Sequence, residues 1–173
     1  MLILIAIFLI WVGLAIFIKY YERKEVMYKI KEIITVSPGS LVDSRGRAED
    51  YMSGILKPAY NILNCEVLVI IYLNEADKII TTDIRMGGRN AVLYSIDEIV
   101  GGAVGKEAVK VILGHSHAGN YNAPGGHDIS DCASLYLSLS SKKIQLMGDF
   151  LACRSGVKSI MDTLQFKEMT EGR

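Results

Sequence analysis

"LGHSHAGNYNAPGGHDISD", Leu113–Asp131, is the stretch on which the reading of the chain turns. It begins inside "AVKVILG" (108–114), a β-branched apolar run that reads as a buried strand. It ends where a helix is expected, from about Asp128 to Leu139. All three histidines of the chain, His115, His117 and His127, fall within it, and Asp128 and Asp131 close it. In an extended chain residues i and i+2 point the same way, so His115 and His117 can face one ion. Asp128 opens the next helix, and the glycine-rich loop can fold it back towards them. Two imidazole nitrogens and one carboxylate oxygen make a three-ligand zinc site with an open fourth position, the pattern of catalytic rather than structural zinc. Water on such a zinc has its pKa lowered to ~7. It still needs a general base, for which glutamate is a common choice. The competing reading is a polar surface loop with ordinary histidines. Against it stands the confinement of every histidine to residues 115–127. His127 is read as supporting the ligands rather than joining them. Cys132, one turn past Asp128, is read as buried packing.

Working outward, residues 48–63 look helical, with Pro58 as a weak point. "EVLVIIYL" (66–73) reads as a buried strand, "NEAD" as a turn, and "KIITTDI" (78–84) as a strand pairing back. Ser95 and Glu98 form a capping-box pattern ahead of a helix of about ten residues. "KIQLMGDFLAC" (143–153) reads as a strand, "RSG" as a turn, and "VKSIMDTLQF" (157–166) as a closing strand. The order predicts an α/β fold with a central mixed sheet and helices packed on it.

Residues 1–18, "MLILIAIFLIWVGLAIFI", carry no charge. As a helix they would reach roughly 27 Å at about 1.5 Å per residue, close to a ~30 Å hydrocarbon core. No basic residue precedes the run and no cleavage site follows it, which favours an uncleaved anchor over a signal peptide. Lys19, Arg23, Lys24, Lys29 and Lys31 follow, so the positive-inside rule puts the remainder in the cytoplasm. The expectation is a single-pass inner-membrane protein whose N-terminal helix (1–20) contacts lipid. A juxtamembrane segment and Ser/Gly/Pro-rich linker (21–47) would follow, then a domain over 48–173.

The chain has 19 basic and 19 acidic side chains and no net charge. A nucleic-acid binder normally shows a basic excess, so nucleic acid is disfavoured as a partner. Cys65, Cys132 and Cys153 are odd in number and widely spaced. They suggest reduced, buried thiols rather than a disulfide framework.

"HSHAGNYNAPGGHD" resembles the JAMM (MPN/JAB) metallopeptidase signature: His-x-His, seven residues, Ser, two residues, Asp. His115, His117 and Asp128 fall on its three metal positions. Glu66, opening "EVLVIIYLNEADKII", matches its upstream glutamate. The flanking "TTDIRMGGRNAVLYSIDEIVGGAVGKEAVKVILGHSH" resembles the RadC-type branch, and the likeness covers roughly residues 48–160. The resemblance implies a cytidine-deaminase-like three-layer fold, a mixed sheet flanked by helices. It further implies zinc-dependent hydrolysis of a peptide or isopeptide bond, with Glu66 as catalytic base and a peptide or ubiquitin-like protein as substrate. The H-x-E and P-C-x-x-C motifs of zinc deaminases are absent, which argues against deamination. Two positions depart from the pattern. Ala118 replaces the proline after the second histidine. Gly125 replaces the serine whose hydroxyl, in the family, helps hold the oxyanion. Loss of one such donor costs on the order of 100- to 1000-fold in rate. Asn120, Asn122, Ser130 or a backbone N–H could substitute. Gly125 therefore keeps a second reading open, a metal-holding MPN-like interaction module. A DNA-repair role, which the RadC name suggests, is opposed by the neutral charge and the lack of any DNA-binding motif.

Overall fold

The computed structural model describes residues 10–25, 28, 38–58, 60, 66–88, 92–117 and 123–171. Helix α1 covers residues 10–25. The remaining elements are α2 (Arg45–Pro58), β1 (Val67–Leu73), β2 (Ile79–Met86), α3 (Ile96–Gly105), β3 (Lys110–Ser116), α4 (Gly126–Ser141), β4 (Gln145–Cys153), β5 (Gly156–Ser159) and α5 (Leu164–Glu171). A 3-10 turn, Ile160–Asp162, joins β5 to α5.

The five strands form one mixed sheet in the order β2-β1-β3-β4-β5. β1 runs antiparallel to both β2 and β3, β3 and β4 are parallel, and β5 returns antiparallel to β4. All seven residues of β1 are buried. Its unbroken apolar run reflects a sheet covered on both faces, where alternation with polar residues is not needed. On one face α2 lays Met52, Ile55 and Leu56 against Val69, Ile71 and Phe150. On the other, Ile99 and Ala103 of α3, Leu135 and Leu139 of α4 and Phe166 of α5 pack over Leu68, Ile70, Leu113 and Leu151. The expected mixed sheet flanked by helices is thus present.

Local chemistry explains most boundaries. Ser95 caps α3 by accepting the Glu98 N–H at 3.1 Å, while the Glu98 carboxylate accepts the Ser95 N–H at 3.3 Å. This is the capping box expected from sequence. Pro58 is the last residue of α2 and has no N–H to give to the helical ladder.

Gly114 shows why β3 lies where it does. A Cβ there would come within 2.9 Å of Leu56 Cδ1, 3.0 Å of Met52 Sδ and 3.2 Å of the Phe150 carbonyl oxygen. The missing side chain lets α2 close onto the sheet directly behind the two histidines. Gly114→Ala should cost about 1–3 kcal/mol by overpacking. Thermal unfolding of the variant would show a lower midpoint, and an unchanged midpoint would contradict this packing.

Three sequence expectations meet a different structure. "VKSIMDTLQF" is not a single closing strand: β5 stops at Ser159, a 3-10 turn follows, and α5 starts at Leu164. Thr163 makes the switch. Its hydroxyl accepts the Phe166 N–H at 3.3 Å, a cap at the start of a helix. Within the stretch read as a linker, Gly39 N–H bonds the Ile79 carbonyl, Ile79 N–H the Ser40 carbonyl and Val42 N–H the Asp77 carbonyl. Val42 is buried, so this segment docks onto the edge at β2.

The membrane span is the third. Among the described residues no helix is long and apolar enough to cross a membrane. The described part of helix α1 holds 16 residues, roughly 24 Å at about 1.5 Å each, short of a ~30 Å core. Its last turns carry Lys19, Glu22, Arg23, Lys24 and Glu25, which leaves only residues 10–18 uncharged. The expectation of a single-pass inner-membrane protein is therefore not supported. Residues 1–9, on which it also leaned, lie outside the described residues.

Candidate metal centre

The candidate site sits where β3 ends and α4 begins. His115 is the sixth residue of β3 and His117 follows the strand's end. Both rings leave the same face of the sheet, as i and i+2 residues must. Ser116 between them points the other way, is fully buried, and accepts the Val67 N–H at 3.1 Å. That bond ties the end of β3 to the start of β1. Asp128 lies in the first turn of α4, and its Oδ2 accepts the Gly125 N–H at 2.7 Å. One carboxylate oxygen is thus engaged by the helix start, and Oδ1 is aimed at the histidines.

The three side chains converge. His115 Nε2 and His117 Nε2 are 3.1 Å apart. Asp128 Oδ1 lies 3.3 Å from the first and 3.4 Å from the second. Zinc bonds of about 2.0–2.1 Å at tetrahedral angles separate neighbouring ligand atoms by about 3.4 Å. The two nitrogens and the oxygen therefore already outline one face of a zinc-sized tetrahedron, and the donor set of neutral imidazoles and a carboxylate suits that ion. Among the described residues, this is the group of histidine, cysteine and acidic side chains close enough to hold a metal.

The electrostatics fit a cation as well. Burial raises the Asp128 pKa, but hydrogen bonds from His115, His117 and the Gly125 N–H hold the carboxyl far below the usual range. It stays ionised. Burial disfavours a charged His115 ring, yet the Asp128 hydrogen bond and the charges of Asp149, Asp128 and Glu66 outweigh it and raise its pKa. A cluster that draws a proton onto the His115 imidazole presents negative potential to any cation that replaces it.

Glu66 precedes β1 and is half-buried. Reciprocal backbone bonds, Glu66 N–H to the Gly88 carbonyl at 2.9 Å and Gly87 N–H to the Glu66 carbonyl at 2.8 Å, fix its backbone. Leu68 stands opposite His115 in the antiparallel ladder. Continuing that register sets Glu66 across from His117, on the same face, and its charge is felt at His115. Two neighbours are not drawn in: His127 is exposed on the first turn of α4 and is not one of the converging group. Cys132 is buried in the core, and burial raises its thiol pKa, with help from Asp149. Neither Cys132 nor Cys153 is in a disulfide. Ala118, Asn120, Asn122 and Cys65 lie outside the described residues.

Residues 45–164 match the family of RadC-like JAB domains. This chain belongs to that family. The match takes in both strands and the helix that frame the site, as well as Glu66, His115, His117 and Asp128. A comparison with curated proteins gives no match. JAB domains include metallopeptidases and commonly bind zinc, and in this RadC-like JAB domain the converging His-His-Asp group is a possible metal site.

One group at the site escaped the sequence reading. Asp149, in the middle of β4, is 2% exposed. It stands beside Leu113 in the parallel β3–β4 ladder, so it faces the same side as His115. Burial pushes its carboxyl up to about 6. His115 and a Cys132 hydrogen bond pull it down, and Asp128 and Asp131 push it up. The sequence did carry a signal, a lone acid inside the apolar strand "KIQLMGDFLAC".

Proposed function

We propose that this RadC-like JAB domain is a zinc-dependent hydrolase of a peptide or isopeptide bond, acting on a peptide or on the tail of a ubiquitin-like protein. The observation that carries the reading is the triangle of His115 Nε2, His117 Nε2 and Asp128 Oδ1, with sides of 3.1, 3.3 and 3.4 Å. Zinc held by those atoms supplies Lewis acidity, which makes water a nucleophile at neutral pH and polarises a carbonyl oxygen. Glu66 is the general base: it takes the proton of the attacking water and delivers it to the leaving nitrogen. Its place across from His117, on the same face as both histidines, supports that role. The nitrogen leaves as an amine and the substrate carbonyl becomes a carboxylic acid, whose proton, the second of the water, passes to the amine or to solvent as it ionises.

The test uses the full chain loaded with zinc and offered peptide and ubiquitin-like isopeptide substrates. Cleavage that a chelator abolishes and zinc restores is expected. A zinc-loaded chain that cleaves none of them points instead to a metal-holding interaction module.

Gly125 favours that second reading, because the family pattern places a serine there. The structure allows the serine. Gly125 has φ −79° and ψ 169°, an extended conformation open to any residue, and a Cβ would meet only Asp128 Oδ2, at 3.4 Å. The position is also the N-cap of α4, where serine is among the favoured residues. Gly125→Ser should therefore fold. Only an interaction stronger in the transition state than in the ground state raises the rate of the chemical step. The variant should accordingly gain roughly 10-fold or more in kcat, with a smaller change in KM. Steady-state kinetics with equal rates for both chains would mean that another group already donates to the oxyanion.

A further inference from the structure

Two buried polar atoms beside the candidate metal centre have no hydrogen-bond partner among the described residues: His115 Nδ1 and Asp149 Oδ1. The residues that carry them are 7% and 2% exposed, so water does not readily serve either. A buried polar atom left unpaired costs about 1–3 kcal/mol, and two such atoms on adjacent strands call for an explanation. They lie on the same face of adjacent parallel strands. Leu113 is the ladder partner of Asp149 and His115 is that of Leu151, so the acid and the ring are diagonal neighbours. The Asp149 charge is felt at the His115 ring, and the ring's charge at Asp149.

The His115 ring has already committed its other nitrogen. Nε2 faces His117 Nε2 and Asp128 Oδ1. A metal taken at Nε2 leaves the ring proton on Nδ1, and that N–H needs an acceptor. Metal-bound histidines usually find one in a carboxylate, which fixes the tautomer and makes the ligand more basic. We propose that Asp149 is that acceptor, a positioning residue that holds His115 in the Nδ1–H tautomer for metal binding. Cys132 of α4 is buried in the core on this same face of the sheet. The inference rests on the zinc reading and deepens it.

The test compares the full-length native chain with Asp149→Asn and Asp149→Ala. Zinc affinity is read by competition with a chromophoric chelator. Asp149→Ala should bind zinc about 10- to 100-fold more weakly. Asp149→Asn keeps an acceptor oxygen and should recover most of that loss. The visible spectrum of the cobalt(II)-loaded protein should shift in the alanine variant and return towards native in the asparagine variant. If Asp149→Ala fails to fold, the asparagine variant decides through the ring-nitrogen resonances of zinc-loaded His115, whose Nδ1–H signal should move. Native affinity in the alanine variant, or an unmoved signal in the asparagine variant, overturns the proposal. A native chain that binds no zinc defeats the underlying reading instead.

Discussion

Glu66→Gln should bind zinc as the native chain does and lose hydrolysis by roughly 100- to 10,000-fold, the usual worth of a positioned general base. The substitution keeps size and shape and removes only the ability to take a proton. Glu66 is not one of the three converging side chains, so metal content should hold. Its backbone is fixed by bonds to Gly87 and Gly88 that do not involve the side chain, so the fold should hold too. The loss should fall on kcat, because the proton is transferred in the chemical step. Steady-state kinetics beside a zinc assay separates the possibilities. A variant with full zinc and full activity would remove Glu66 from the chemistry. A variant that loses zinc would make it a ligand.

The second large effect is on stability. Zinc bound to the folded chain and not to the unfolded one stabilises the fold by mass action, about 4 kcal/mol when free zinc is 1000 times its Kd. For a domain of this size that shifts the unfolding midpoint by about 10 °C or more. Asp128→Ala should erase the shift. The carboxylate supplies one side of the triangle through Oδ1 and ties α4 to Gly125 through Oδ2. Its loss should therefore also lower the metal-free midpoint modestly. His115→Ala should erase the zinc shift without touching the α4 cap. Calorimetry of both variants with and without zinc tests the distinction. A zinc-dependent rise that survives in both would place the ion elsewhere.

The parts that were legible in the sequence are those fixed by short-range chemistry. His115 and His117 share a face because strands alternate, and Asp128 lies in the first turn of the helix that starts at Gly126. The Ser95–Glu98 cap spans three residues and formed as the pattern said. The apolar run of β1 needed only burial on both faces. What stayed hidden depends on pairing across the sheet. Asp149 is 34 positions from His115, and only the parallel β3–β4 register brings them onto one face. The docking of residues 39–42 against Asp77–Ile79 was equally non-local. The segment 157–166 was misread because its apolar spacing suits a strand, while the Thr163 hydroxyl that starts α5 is a single-residue signal. At the N-terminus, the uncharged run 1–18 and the basic residues after it suggested a span, whereas among the described residues no helix is long and apolar enough to cross a membrane.

The most direct test of the metal centre is the zinc content of the full chain, purified without chelator or added metal, beside the His115→Ala variant. Elemental analysis should find about one zinc per native chain and nearly none in the variant, since removing one of three ligands opens the triangle of 3.1, 3.3 and 3.4 Å. A native chain without zinc that also fails to take it up on titration would contradict the account. Equal zinc in both proteins would contradict it as well.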